Sequence, residues 1–197
     1  MTPSQAWDAL VEGNQRYAAD TSVNWNRNYD RRHEVAAGQR PFAMVLGCAD
    51  SRVPPEVIFD RGLGELFTVR VAGNVADANA IGSLEYAVLN FESPLLVVLG
   101  HEMCGAVIAT VDAVEKSTDA PGFIGSIIDD IKPAVQPLLG KEGYSLESAV
   151  RANIMAVARA LAVKSTILSD YVSSGKLQIK GAYYGLADGR VTAVDLA

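Results

Sequence analysis

Cys48-Ala-Asp-Ser-Arg52 and His101-Glu-Met-Cys104 are the two segments whose residue types could do chemistry together. The first offers a thiolate and, two residues on, a carboxylate followed by a guanidinium. The second offers an imidazole and a thiolate three positions apart. The chain has only two cysteines and two histidines, and these segments hold both cysteines and one histidine. Two sulfurs, a nitrogen and a nearby oxygen match the donor set of a tetrahedral zinc ion. Three strong donors with one negotiable position, here Asp50, suit a catalytic rather than a structural site. Singly, each residue has an ordinary reading: a cysteine filling a core gap, a satisfied histidine, an Asp-Ser-Arg surface turn. Their joint placement favours the metal. His33, in the charged stretch Asp-Arg-Arg-His-Glu, reads as exposed and not as a ligand.

Such donors need rigid elements to hold them. Residues 42–47 form an unbroken apolar run, and 66–71 and 95–99 are two more short β-prone runs, the pattern of parallel strands covered on both faces. Ile81, Leu84, Ala87, Val88 and Phe91 share one face of a helix predicted over 77–91, which makes a crossover between the second and third runs. Cys48 follows the first run directly, and His101 follows the third after one glycine. Both therefore lie at carboxyl ends of strands, where ligands bind in open α/β sheets. Cys104 falls in the first turn of a helix predicted over 104–115, whose positive end favours a thiolate. Gly62-Leu-Gly64 does not follow a strand in the manner of a dinucleotide fingerprint.

Thr2-Pro-Ser-Gln5 is a capping box that opens a helix over 3–18. Its apolar face, with Trp7, Leu10, Val11 and Tyr17, is expected to lack a local partner and to seek a second chain. Residues 24–32 read as an arm, followed by a short helix near 30–37. A helix over 124–139 contains Pro133 and Pro137. The period from Leu146 to Val172 predicts one long helix over 145–174, closed by Gly175. Strands over 176–184 and 190–195 flank Leu-Ala-Asp-Gly, a hairpin signal. The expected fold is α/β: one domain over 1–197, with a mainly parallel central sheet, flanking helices, an N-terminal helical arm (1–38) and a C-terminal hairpin.

A chain of 197 residues, 49% hydrophobic and 20% charged, can bury a large core. The net charge of −6 and the lack of a basic run argue against nucleic acid and anionic membranes. A mean hydropathy of +0.14 suggests apolar surface shared between subunits. No apolar run is long enough to span a bilayer. The N-terminus lacks the charged and apolar regions of a signal peptide, so a cytoplasmic site with reduced thiols is expected.

These residues are together similar to the β-class carbonic anhydrases. The resemblance rests on Gly47-Cys-Ala-Asp-Ser-Arg-Val-Pro-Pro-Glu56, Arg70-Val-Ala-Gly-Asn74, Gly82-Ser-Leu-Glu-Tyr-Ala-Val88 and Gly100-His-Glu-Met-Cys-Gly-Ala106. It implies one zinc per chain held by Cys48, His101 and Cys104, with Asp50 paired to Arg52 or, in a closed state, acting as fourth ligand. It implies reversible hydration of CO2 to bicarbonate and a proton by a zinc-bound hydroxide. Gln39, Phe67 and Tyr86 match positions lining the substrate pocket, and Gly105 lies beside the metal. The pocket is implied to form at a dimer interface, in a homodimer or a dimer of dimers. Position 45 is valine, where a bicarbonate-inhibited subset of the family has tryptophan, so that second site is expected to be missing. Two alternatives stay open: a carbonyl sulfide or carbon disulfide hydrolase on the same scaffold, and a non-catalytic structural zinc protein.

Overall fold

The computed structural model describes residues 1–196. The elements run α1 (Pro3–Ala18), α2 (Tyr29–Glu34), β1 (Ala43–Gly47), α3 (Pro55–Ile58), β2 (Leu66–Arg70), α4 (Ala78–Phe91), β3 (Leu95–His101), α5 (Gly105–Lys116), α6 (Ile124–Val135), α7 (Leu146–Lys164), α8 (Thr166–Ser173), β4 (Gln178–Tyr184) and β5 (Val191–Val194). The sheet order is β2-β1-β3-β4-β5. The first four strands are parallel, and β5 returns antiparallel to β4. The expected α/β class and C-terminal hairpin are both present.

The apolar runs carry no alternation because both sheet faces are covered. Met44 and Leu46 of β1, with Leu96 and Val98 of β3, face Leu84, Val107, Ile131 and Ile154 from α4 to α7. Ala43 and Val45, with Leu95, Val97 and Leu99, face Leu10 and Phe59 on the other side. The Thr2–Gln5 capping box forms as read and fixes the start of α1.

Three expectations need correction. First, the apolar face of α1 has a local partner: Ala6 and Leu10 are fully buried against their own sheet. Gly13 allows this approach, since a Cβ there would collide with the Phe59 carbonyl. Burying Leu10 alone is worth about 1.5–3 kcal/mol. Second, β3 runs on to His101, which pairs with Tyr184, so the histidine belongs to the strand and does not follow it. Third, the predicted helix over 145–174 is two helices, bent by 97°. Ser165 makes the break: extended itself, it ends α7 and its hydroxyl caps the Leu168 N–H of α8 at 3.0 Å while donating to Glu85 at 2.6 Å. No single helix among the described residues is long and apolar enough to cross a membrane.

Candidate metal centre

Parallel register puts Gly47 of β1 level with Leu99 of β3, so Cys48 emerges beside the last residues of its neighbour. His101 ends β3. Met103, at φ +53°, turns the chain sharply enough for Cys104 to become the N-cap of α5. All three side chains are buried, and their donor atoms lie within 4.8 Å of one another. Cys48 and Cys104 are both free thiols.

The hydrogen bonds around these donors fix their chemical form. His101 Nδ1 lies 2.8 Å from the Glu102 carbonyl, which can only accept, so Nδ1 carries the proton. Nε2 then presents a lone pair toward the sulfurs, buried and without a hydrogen-bond partner. A buried polar atom of this kind costs stability unless something fills its need. Cys48 Sγ accepts from the Gly73 N–H at 3.3 Å and the Asp50 N–H at 3.5 Å. Gly73 sits at φ +69°, and a Cβ there would meet Ile131 at 2.6 Å, so the position suits glycine twice over.

The two thiols share a hydrogen bond and divide their acidity. Cys48 is pulled well below its usual value by the Cys104 hydrogen bond, against burial and with help from His101 and the two amides. Cys104 is pushed up by the same bond, by burial and by the charge of Cys48. The pair thus holds one negative charge, Cys48 as thiolate and Cys104 as thiol, and a cation between the sulfurs would let Cys104 release its proton as well. A buried imidazole lone pair and two sulfurs within one coordination sphere fit a tetrahedral zinc ion.

Asp50 stands just outside this group, with Oδ2 4.0 Å from His101 Nε2. Arg52 grips both carboxylate oxygens, Nε to Oδ1 at 2.9 Å and Nη2 to Oδ2 at 2.8 Å, and its own N–H adds a third bond at 2.9 Å. The Arg52 bond holds the Asp50 carboxyl well below the usual carboxylate range. Arg70 secures the loop from behind, donating to the Cys48 carbonyl at 2.9 Å and the Asp50 carbonyl at 2.5 Å. Sequence reading gave Arg70 and Gly73 no role of their own, because backbone contacts leave no signal in residue type.

Gly105 opens α5 next to Cys104, exposed and with open space around it. Gln39, Phe67 and Tyr86 lie elsewhere. Phe67 pairs with Met44, four residues before Cys48, which places it about 13 Å from the donors along the sheet. It forms an aromatic cluster with Tyr86 and Phe91, at centroid distances of 5.8–6.4 Å. Gln39 lines an open cleft of about 560 Å³ with Phe42, Leu89 and Phe91. Tyr86 remains 55% exposed. One chain therefore does not bring these three residues to its own cysteines. His33 is exposed and stacks on Tyr29 at 4.2 Å, away from the donors.

Comparison with known proteins agrees with this geometry. Residues 43–191 match the family model described as carbonic anhydrase. "Carbonic anhydrase 2" of Mycobacterium tuberculosis is 41% identical over 195 residues, covering 98% of this chain and 93% of that protein. The carbonic anhydrase of Mycolicibacterium smegmatis is 41% identical over 191 residues, covering 96% and 92%. Among solved structures, the Coccomyxa β-carbonic anhydrase superposes with a TM-score of 0.75 at 28% identity, over 94% of this chain and 84% of that one. With its strand-end donors, its parallel sheet and these relatives over nearly its whole length, the chain belongs to the β-class carbonic anhydrase family.

Proposed function

We propose that this protein catalyses the reversible hydration of CO2 to bicarbonate and a proton, with one zinc ion per chain held by Cys48, His101 and Cys104. The observation that carries the reading is the buried, unpartnered Nε2 of His101 facing two cysteine sulfurs. Zinc at such a site makes bound water acidic enough, with a pKa of about 7, to serve as a nucleophile at neutral pH. The chain's own residues do the rest. The Glu102 carbonyl keeps the His101 tautomer that points Nε2 inward. Arg52 holds Asp50 beside the donors as an oriented hydrogen-bond acceptor, which would keep its carboxylate off a bound ion. A permanent structural site would need Asp50 as fourth donor; its three bonds to Arg52 favour the catalytic reading over that one.

CO2 is apolar and needs walls more than charges. Phe67, Tyr86 and Val71 are suited to that task, with Gln39 and the Gly105 N–H as donors for the oxygen that gains charge. Since Gln39, Phe67 and Tyr86 lie away from the donors of their own chain, we assign them to the site of a partner in a homodimer, alone or within a dimer of dimers. The functional unit is a single domain over 1–197 with residues 1–38 as its arm, placed in the cytoplasm. Val45 is buried in β1, and the protein is taken to lack a second bicarbonate site. Stopped-flow assays on zinc-loaded protein test the reading. Rapid CO2 hydration is expected, with little turnover of carbonyl sulfide or carbon disulfide. Preference for either sulfur substrate, or no turnover with full zinc, would overturn it.

A further inference from the structure

Asn153 is a polar residue on the apolar face of α7, 1% exposed, among Val150, Ile154 and Val157. Its Nδ2 donates to the Gly73 carbonyl at 2.9 Å, across 80 residues of sequence, in a fully buried bond. Its Oδ1 has no partner, so this one bond sets the orientation of the amide. At the other end of the same peptide unit, the Asn74 N–H donates to the Val71 carbonyl at 2.8 Å. The Gly73–Asn74 peptide is thus held at both ends. Glycine is the residue least able to hold a conformation unaided. Gly73 is left-handed, and its own N–H is the donor to Cys48 Sγ at 3.3 Å.

We propose that Asn153 is a positioning residue of the metal centre, tethering Gly73 so that its N–H stays aimed at the Cys48 sulfur. The proposal rests on the zinc reading above. An N–H bond to a coordinating thiolate draws electron density from the sulfur. Two thiolates together cancel the charge of a divalent metal, so easing one of them leaves the metal a stronger Lewis acid. Outer groups that orient ligands in this way commonly change metal affinity by about 10- to 100-fold.

Cobalt-substituted protein tests the tether by a spectroscopic readout. Asn153→Ala removes the donor, and Asn153→Leu removes it while keeping most of the volume, so a gap is not the common factor. Ile154→Val is the control: Ile154 is fully buried on the same helix and packs against Gly100 and Gly181, not against Gly73. Both Asn153 variants are expected to shift the thiolate-to-cobalt charge-transfer bands to longer wavelength. Chelator competition should show zinc affinity about 10- to 100-fold lower. The control should move neither. Unmoved bands and wild-type affinity in the folded variant overturn the tether while the zinc reading stands. An equal shift in Ile154→Val also overturns it, by tracing the effect to general loosening. Wild-type protein with no thiolate band at all removes the zinc reading, and the tether with it.

Discussion

The two ends of the central sheet are built to different standards of completeness. At the carboxyl end, β1, β3 and α5 bring three donors within 4.8 Å inside one chain, with backbone bonds fixing Cys48 and His101. At the amino end, Gln39 and Phe91 border an open cleft, Phe67 and Tyr86 cluster with Phe91, and Tyr86 is more exposed than buried. Metal chemistry demands distances good to a fraction of an ångström, which covalent spacing and strand register can supply. An apolar wall tolerates looser tolerances, so it can be delegated to a surface that only a second molecule completes.

The comparison breaks first at the carboxyl end if it is wrong. Cys48→Ser, His101→Ala and Cys104→Ser should each lose zinc, measured by metal analysis, and drop hydration to background. Full zinc in all three variants would remove these residues from the centre. Next in size, Arg52→Ala and Asp50→Ala should keep zinc yet lose about 10²- to 10³-fold in turnover, the usual effect of deleting an aimed polar group. The double variant should be little worse than either single, because the pair acts as a unit. Near-wild-type rates in Arg52→Ala would reduce the pair to a surface contact.

Subunit mixing sharpens the other half of the comparison. A Cys48→Ser chain has no metal site but an intact Gln39, and a Gln39→Ala chain is the reverse. In a two-fold dimer with cross-chain sites, equal mixing restores one good site in half of the dimers, about a quarter of wild-type activity. Activity that never exceeds the sum of the parents would mean that each chain uses its own Gln39. The smallest effect concerns the arm. Asp60, fully buried, accepts from Arg16 Nε at 2.8 Å and from the Val23 and Asn24 N–H groups at 3.1 Å. Burial works against this charge, but the Arg16 bond and the two amides hold its carboxyl below its usual value. Its contribution is therefore present above about pH 4 and fades as pH falls through the lowered value. Asp60→Asn should lower stability at neutral pH by about 1–3 kcal/mol and speed proteolysis within residues 19–28. An acid transition unchanged by the substitution would contradict this.

Much of the carboxyl end was legible in the sequence because donor identity and strand ends are local properties. The true end of β3 was not, because Gly100 looked like a terminator. It is a strand residue whose missing side chain makes room for Ile154, which a Cβ would meet at 2.6 Å. The break at Ser165 was hidden because Leu168 and Val172 keep the helical period beyond it. The packing of α1 depends on Gly13 meeting Phe59, a contact between residues far apart in sequence. Asn153 left no signal at all: one polar residue in an apolar helix says nothing about which carbonyl it will find.

The parallel register has a consequence in time. Leu95 pairs with Gln178, and Gly47 pairs with both Arg70 and Leu99, so most strand partners are separated by a helix or more of intervening chain. Each such pairing must close a long loop before it is rewarded, which makes sheets of this kind slow to fold. The helices can form early, whereas the three donors meet only when β1 and β3 pair. Refolding in the presence of cobalt should therefore show helical circular dichroism well before the thiolate bands. Simultaneous signals would mean that the ion recruits its own ligands and helps to nucleate the sheet. If the lag is found, newly made chains pass through a period in which two unliganded thiols are open to oxidants, and the speed of sheet assembly decides how many survive to take up metal.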